Sequence, residues 1–395
     1  MFIRMTLISL VFVCLHTPAH ARNDTPPTTT NHEFHFIVLG DAQFDDPAGF
    51  NRIVDQVRYL YPAFVIQVGD LIDGYTSDIH SIRAQWDRFK RQIEPLRPIP
   101  YFAIAGNHDV YGSTKKPDAT LENAFIDTWG PLYFSFTYKN ALIIGLNSDP
   151  KESPERISDQ QVEWMNNILK QSKAQHRLVF MHRPPMLMKN APVLHQSFVK
   201  GGVTQVIYGH HHHLHHFERD GVHYTMTNAG GRMAHKIKAV GGFAHMLQVS
   251  VRDEDLSVAV IDADAIHGQD MVDPVDNYDL FNIGRRLVPN SVRLTATTAN
   301  PLKYNLTLPL HNASQRDLTI YVSCTSEDNR WNFDPKAIDP IELAAGDKQT
   351  LSIAASVRQN RQSEALPNCS VRAPFQTRDG EWVDFTKHVT TSIPD

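Results

Sequence analysis

The sequence predicts an α/β domain over residues 34–265 and a smaller all-β domain over 286–395, and three observations carry that reading. Short apolar runs at 34–39, 63–68, 101–105, 141–146, 178–181 and 203–208 are interleaved with amphipathic stretches at 50–60, 79–93 and 158–171, which is the strand and helix alternation of an α/β fold. Beyond residue 286 the apolar runs turn short, Thr- and Val-rich, and are separated by polar turns without a helical period. A chain of 395 residues with 42% apolar content has material for two to three domains, each with its own core.

Each element has its local signal. Ser158 and Gln161 have the spacing of a capping box opening the helix over 158–171. Asp220-Gly221 between 214–219 and 222–227 is a hairpin signal, and 243–252 with 256–261 reads as a further strand pair that closes the domain near 265. Residues 266–285 lack a clean period and are expected to be a linker. The runs at 291–308, 318–324, 349–357 and 370–373 describe a small immunoglobulin-like β-sandwich.

Charge and the chain's first residues bound the function. With 38 Lys+Arg against 43 Asp+Glu the net charge is −5, so bulk electrostatics will not hold the chain on nucleic acid or an acidic membrane. An anionic substrate must be held locally. Residues 1–21 carry Arg4, an apolar stretch from Met5 to Leu15 and Ala19-His20-Ala21, the pattern of a cleavable signal peptide, and 22–33 read as a flexible leader. A secreted or periplasmic protein is expected, because no run of 18 or more apolar residues follows. Of three cysteines, Cys324 and Cys369 would remain after cleavage and are expected to form one disulfide in the C-terminal domain.

The chemistry lies at strand ends. Gly40-Asp41-Ala42-Gln43, Gly69-Asp70-Leu71-Ile72-Asp73, Gly106-Asn107-His108-Asp109, Met181-His182-Arg183 and Gly209-His210-His211-His212 each follow an apolar run. Open α/β sheets place their sites at those C-terminal ends. One such tag is most often only a turn, but five in order over about 170 residues are not explained by turns. Asp, Asn and His without thiolate suit Fe, Mn, Zn or Co, and there are too many ligands for one ion. A carboxylate shared by two ions would give the spacing that in-line phosphoryl displacement uses.

The order GDAQ, GDLID, GNHD, MH, GHHH resembles the calcineurin-like metallophosphoesterase superfamily, whose motifs run D-x-H, G-D-x-x-D, G-N-H-D/E, H and G-H-x-H. The resemblance covers roughly residues 34–265. It implies two packed β-sheets flanked by helices in four layers, with a dinuclear centre holding two divalent or mixed-valence ions. Asp41, Gln43, Asp70 and His212 would bind one metal, and Asp70, Asn107, His182 and His210 the other, with Asp70 bridging. His108 would be the catalytic imidazole and Asp73 its orienting partner. The implied reaction cleaves a phosphomonoester or phosphodiester, in a small molecule or headgroup, by attack of a metal-bridging hydroxide with His108 assisting the leaving group.

Gln43 departs from the pattern, because it puts a harder, weaker amide oxygen where the family usually has an imidazole. Arg183, next to a ligand, is either a phosphate clamp or a surface residue. With His210 and His212 on one side of an extended segment, His211 and His213 face the other way, and with His215 and His216 they are expected outside the ligand set. The alternative is that the run buffers or loads metal. His235 and His245 are expected in the core, and Thr227–Gly231 weakly suggests a turn near the substrate. A second class of function, a non-catalytic metal-binding or interaction protein reusing the fold, is motivated by Gln43, the histidine run and the C-terminal domain. That domain could contact a surface, a carbohydrate or another subunit.

Overall fold

The computed structural model describes residues 33–393 apart from 152–153, 263–264, 298–302, 328–329 and 358–364. The expected signal peptide over 1–21 and nearly all of the expected leader over 22–33 lie outside the described residues. In chain order the N-terminal domain contains β1 (Phe34–Leu39), α1 (Pro47–Leu60), β2 (Val65–Gln67), α2 (Ile79–Ile93), β3 (Tyr101–Ala103), α3 (Asn107–Val110), α4 (Ala119–Trp129), β4 (Phe134–Tyr138), β5 (Ala141–Gly145), α5 (Asp159–Gln171), β6 (His176–Phe180) and α6 (Ala191–Lys200). It continues through β7 (Gln205–Tyr208), β8 (His215–Arg219), β9 (Val222–Met226), β10 (Met246–Arg252), β11 (Asp255–Ile261) and β12 (Ile266–Gly268).

Two six-stranded sheets result, one ordered β12-β11-β10-β1-β2-β3 and the other β4-β5-β6-β7-β9-β8. Because strand side chains alternate faces, Phe36 and Val38 of β1 point between the sheets and Ile37 and Leu39 point away. Between the sheets Phe36 stacks on Phe64 at 4.7 Å and meets Phe180 of the opposite sheet at 6.1 Å. On the outer faces Ile37 and Leu39 pack under α1, α2 and α4, and Ile144 and Val179 pack under α5 and α6. The layers are helix, sheet, sheet, helix. No helix among the described residues is long and apolar enough to cross a membrane.

The hairpin turn forms as expected, with Asp220 and Gly221 both at positive φ (51° and 76°). The capping box forms only in half. Ser158 Oγ accepts from Gln161 N at 3.2 Å, but the Gln161 amide turns to the backbone of Asn147, just beyond β5.

The expected linker at 266–285 is a correction. It consists of the edge strand β12 followed by the helix α7 (Pro274–Arg286). Asp273 caps α7 by accepting from Val275 N and Asp276 N, and Pro274 at the first turn suits a position whose N–H has no helical partner. Four of the six buried residues are polar, with Asp276, Asn277, Asp279 and Asn282 beside Leu280 and Ile283, and this hid the helical period. The partners of Asp276, Asn277 and Asp279 are distant in sequence. Arg316 Nε donates to Asp279 Oδ2 at 2.7 Å and its Nη2 to Asp276, while Arg378 N donates to Asp276 Oδ2 at 2.8 Å.

The C-terminal domain contains β13 (Ser291–Ala296), β14 (Lys303–His311), β15 (Leu318–Thr325), β16 (Trp331–Asp334), β17 (Ile341–Leu343), β18 (Lys348–Val357), β19 (Asn368–Gln376) and β20 (Trp382–Ser392). β13 joins its halves, pairing antiparallel with β14 on one side and parallel with β20 on the other. Leu306 and Ile353 of one half and Ile320, Val371 and Val383 of the other close one core, to which α7 adds Leu280 and Ile283. Cys324 and Cys369 sit directly opposite on β15 and β19 and are disulfide-bonded. Arg316 is the cation that lets two buried carboxylates exist at this junction. Arg316→Leu is expected to lower the unfolding free energy by about 3–5 kcal/mol, as for other buried pairs broken on one side, measured by urea unfolding.

Candidate metal centre

The five tagged loops converge where the C-terminal ends of the two sheets meet. Three come from β1, β2 and β3 of one sheet and two from β6 and β7 of the other. Asp41, Asp70, Asn107 and His182 are buried there. Backbone hydrogen bonds lock the loops together. His108 N donates to Asp70 Oδ1 at 2.9 Å, Ala42 N to the Asp70 carbonyl at 3.0 Å, and His210 N to the Asp41 carboxylate at 3.1–3.2 Å. Asp109 is the brace between two loops, because its carboxylate accepts from Leu71 N, Ile72 N and Gly106 N at 2.8–3.2 Å.

The local backbone is strained. Asp70, His210 and His212 have φ of 53°, 77° and 58°, a region that costs a non-glycine residue about 1–2 kcal/mol and is held only where the surroundings impose it. Gly69, at φ 94°, makes the close approach possible, since a Cβ there would lie 2.4 Å from His182 Nδ1. That nitrogen donates to the Val68 carbonyl at 2.9 Å, which turns Nε2 into the site.

Around His182 Nε2 stand Asn107 Oδ1 and His210 Nδ1, each at 3.1 Å, and Asp70 Oδ1 at 3.3 Å. Beside this group His212 Nε2 is buried 3.4 Å from Asp41 Oδ1 and has no hydrogen-bond partner among the described residues. Ligand atoms of Asp70, His182 and His210 lie within 4.8 Å of one another, as do those of Asp41, Asp70 and His212. The two groups share Asp70. Converging lone pairs, two buried carboxylates and an orphaned imidazole nitrogen fit a pair of cations.

Electrostatics agree. Burial opposes ionisation of Asp70, but the neighbouring imidazoles, His182 first, outweigh it and hold the carboxyl well below the usual carboxylate range. Burial likewise pulls His182 down, but the charge of Asp70 wins and raises it to about 9. His210 stays neutral, held well below its ordinary value by burial and by the nearby His182 and Arg183. In the metal-free chain, therefore, a proton on His182 neutralises Asp70.

Two of the expected side-chain roles differ in the structure. Gln43 reaches the centre with its amide nitrogen, donating to Asp70 Oδ2 at 2.8 Å, while its oxygen faces Arg232 Nη1 at 3.5 Å. It acts here as a donor to the shared carboxylate, and a cation contact would require its amide to turn over. The Asp73 carboxylate is not the partner of His108. It accepts from Phe44 N at 3.2 Å, and the Asp73 backbone carbonyl takes His108 Nδ1 at 2.6 Å. Arg183 is a site residue, with Nε on Asp149 Oδ1 at 2.7 Å and Nη1 3.1 Å from His210 Nε2. His245 lies in the core, bonded to Asn228 N and the Phe243 carbonyl.

Sequence reasoning missed Asp149, Tyr75 and Arg232, and gave Asp109 no role of its own within its motif. Asp149 follows β5 in Asn147-Ser148-Asp149, a sixth strand end bearing a carboxylate, and this was the available signal. Tyr75 carries none. Its hydroxyl accepts from Asn107 Nδ2 at 2.8 Å, which aims Asn107 Oδ1 at His182, and its ring lies 4.2 Å from that of His108.

Residues 34–214 match the family model described as calcineurin-like phosphoesterase. The N-terminal domain belongs to this family. Strands β8 to β12, beyond the matched segment, complete both sheets of the phosphoesterase domain. Human serine/threonine-protein phosphatase CPPED1 is 31% identical over 172 residues, 38% of this chain and 54% of that protein, so the match spans about half of this relative's length. Rat tartrate-resistant acid phosphatase type 5 is 24% identical over 323 residues, 66% of this chain and 94% of that protein. The structure of purple acid phosphatase PPD1 from yellow lupin shares the fold with a TM-score of 0.50 at 15% identity, over 60% of this chain and 53% of that one.

A cation entering the phosphoesterase domain must displace the proton of His182. The sign follows from a pKa raised to about 9, which keeps the proton bound at pH 7. Metal uptake at pH 7 is expected to release about one proton at this site, and apparent affinity should rise about tenfold per pH unit up to pH ~9. Calorimetric titration of the metal-free protein in buffers of different ionisation enthalpy checks this, and pH-independent affinity would contradict it.

Proposed function

We propose that this chain is an exported, metal-dependent hydrolase of phosphoric esters. The observation that carries the reading is the pair of ligand groups sharing Asp70, with His108 beside them and its Nε2 without a hydrogen-bond partner among the described residues. Cations held by Asp41, Asp70 and His212 on one side, and by Asp70, Asn107, His182 and His210 on the other, would stabilise phosphoryl charge and make water a nucleophile at neutral pH. The chain's own groups supply the rest. His108 Nδ1–H is fixed by the Asp73 carbonyl, so Nε2 is the atom that carries a proton to the leaving oxygen. The contact with Tyr75 limits where that ring can swing. Arg183, anchored by Asp149, offers its remaining N–H groups to a phosphoryl oxygen.

The uncommitted Nε2 of His108 favours an enzyme over a pure metal binder, which has no use for a proton donor beside its ligands. Phosphatase relatives and the family of the N-terminal domain support the same reading. Export is supported by the sequence pattern of residues 1–21 and by the Cys324–Cys369 disulfide, a bond typical of oxidising compartments.

Purified protein supplied with Mn or Fe is expected to hydrolyse a generic aryl phosphomonoester or phosphodiester. His108→Ala should lower kcat by about 10²–10⁴-fold while leaving metal content unchanged, whereas Asp70→Asn should lose both metal and activity. Folded protein without turnover under any divalent metal would exclude the enzyme.

A further inference from the structure

His211, His213, His215 and His216 of the histidine run, α7 and the C-terminal domain have no part in the chemistry at the metal centre. They meet at one place. A cavity of 390 Å³, within the size range of sites for small organic ligands, lies between the phosphoesterase domain and α7. Met186, Phe217 and Met226 form one wall and Val275, Tyr278 and Phe281 of α7 the other. Among the described residues no Asp, Glu, Lys or Arg side chain lines it. Two polar groups on its wall are committed elsewhere: Asn277 Nδ2 donates to the Val240 carbonyl at 2.7 Å, and His213 Nδ1 pairs with the His211 carbonyl at 2.8 Å. Such a surface favours a hydrocarbon over a polar ligand.

The cavity shares part of its lining with the surroundings of the centre. Pro184, Leu187 and His211 also line a second cavity, of 320 Å³, whose walls include Arg183 and His210. The His211 ring stands 5.0 Å from that of His210 and 5.2 Å from that of Phe281, so it spans from a metal-ligand position to the apolar wall. Leu187 and Tyr278, 61% and 49% exposed, lie on this lining as large apolar side chains left open to solvent. The histidine run does not form a metal site of its own, since the candidate metal groups among the described residues draw only His210 and His212 from it.

We propose that this cavity is the apolar subsite of the substrate, taking the hydrocarbon portion of a phosphoric ester whose phosphoryl group sits at the metal centre beside Arg183. The inference rests on the phosphoesterase reading and names the substrate class, esters of apolar alcohols. It also gives the C-terminal domain a task. Arg316 and Gln315 hold Asp276 and Asp279 of α7, and Gln315 itself lines the cavity, so the appended domain sets the position of the wall.

The test uses n-alkylphosphonates from methyl to hexyl, which carry the anionic head and are not hydrolysed. They are titrated calorimetrically into the metal-loaded full chain, and separately assayed as inhibitors of aryl phosphate hydrolysis. Affinity is expected to rise about two- to fourfold per added methylene as each is buried. Leu187→Glu and Tyr278→Glu, at partly exposed positions where folding should tolerate the change, are expected to flatten that slope. Wild-type affinity independent of chain length, or the same slope in both variants, would overturn the subsite. Turnover without a slope rejects the subsite alone, and a slope without turnover keeps the apolar site but rejects the phosphoesterase reading.

Discussion

The buried carboxylate of Asp70 is the constraint around which this molecule is arranged. A charge at that depth costs several kcal/mol unless it is neutralised, and here imidazoles and hydrogen-bond donors surround it. His182 faces it across 3.3 Å, His108 donates its amide to it, and Gln43 donates from the other side. The same carboxylate belongs to both candidate ligand groups, so what stabilises it in the metal-free chain also builds the centre.

Holding that arrangement requires a stiff frame. The two sheets interlock through an aromatic core that includes Phe36, Phe64 and Phe180, and their strand ends deliver loops too short to relax. Three residues at ligand positions accept left-handed backbone, and Asp109, buried behind them, ties two loops together with three amide hydrogen bonds. Well-packed strands thus support locally unfavourable geometry at the centre, a common division of labour at functional sites.

The C-terminal domain is joined to this frame by α7. One end of the connection is apolar, with Leu280 and Ile283 in the β-domain core, and the other is ionic, with Asp276 and Asp279 on Arg316. A helix fixed on both counts is a wall, and it stands over the face of the histidine run that points away from the metal ligands.

The sequence by itself determined the α/β character and the order of the strands that carry the candidate centre, and its strand-end motifs tagged Asp41, Asp70, Asn107, His182, His210 and His212, because strand period and strand-end motifs are local. It also determined that Cys324 and Cys369 would pair. The tertiary structure decided what depends on distant partners. The alternation of the histidine run arises from two residues at positive φ rather than from an extended segment, and Asp73 serves through its carbonyl because its carboxylate is taken by Phe44 N. Asp149 gains its place by meeting Arg183 and Tyr111, and α7 hid behind polar residues whose partners lie 37 and 40 positions further along the chain. A side chain's identity is written in the sequence, but the atom it uses and the partner it meets are set by which loops the two sheets bring together.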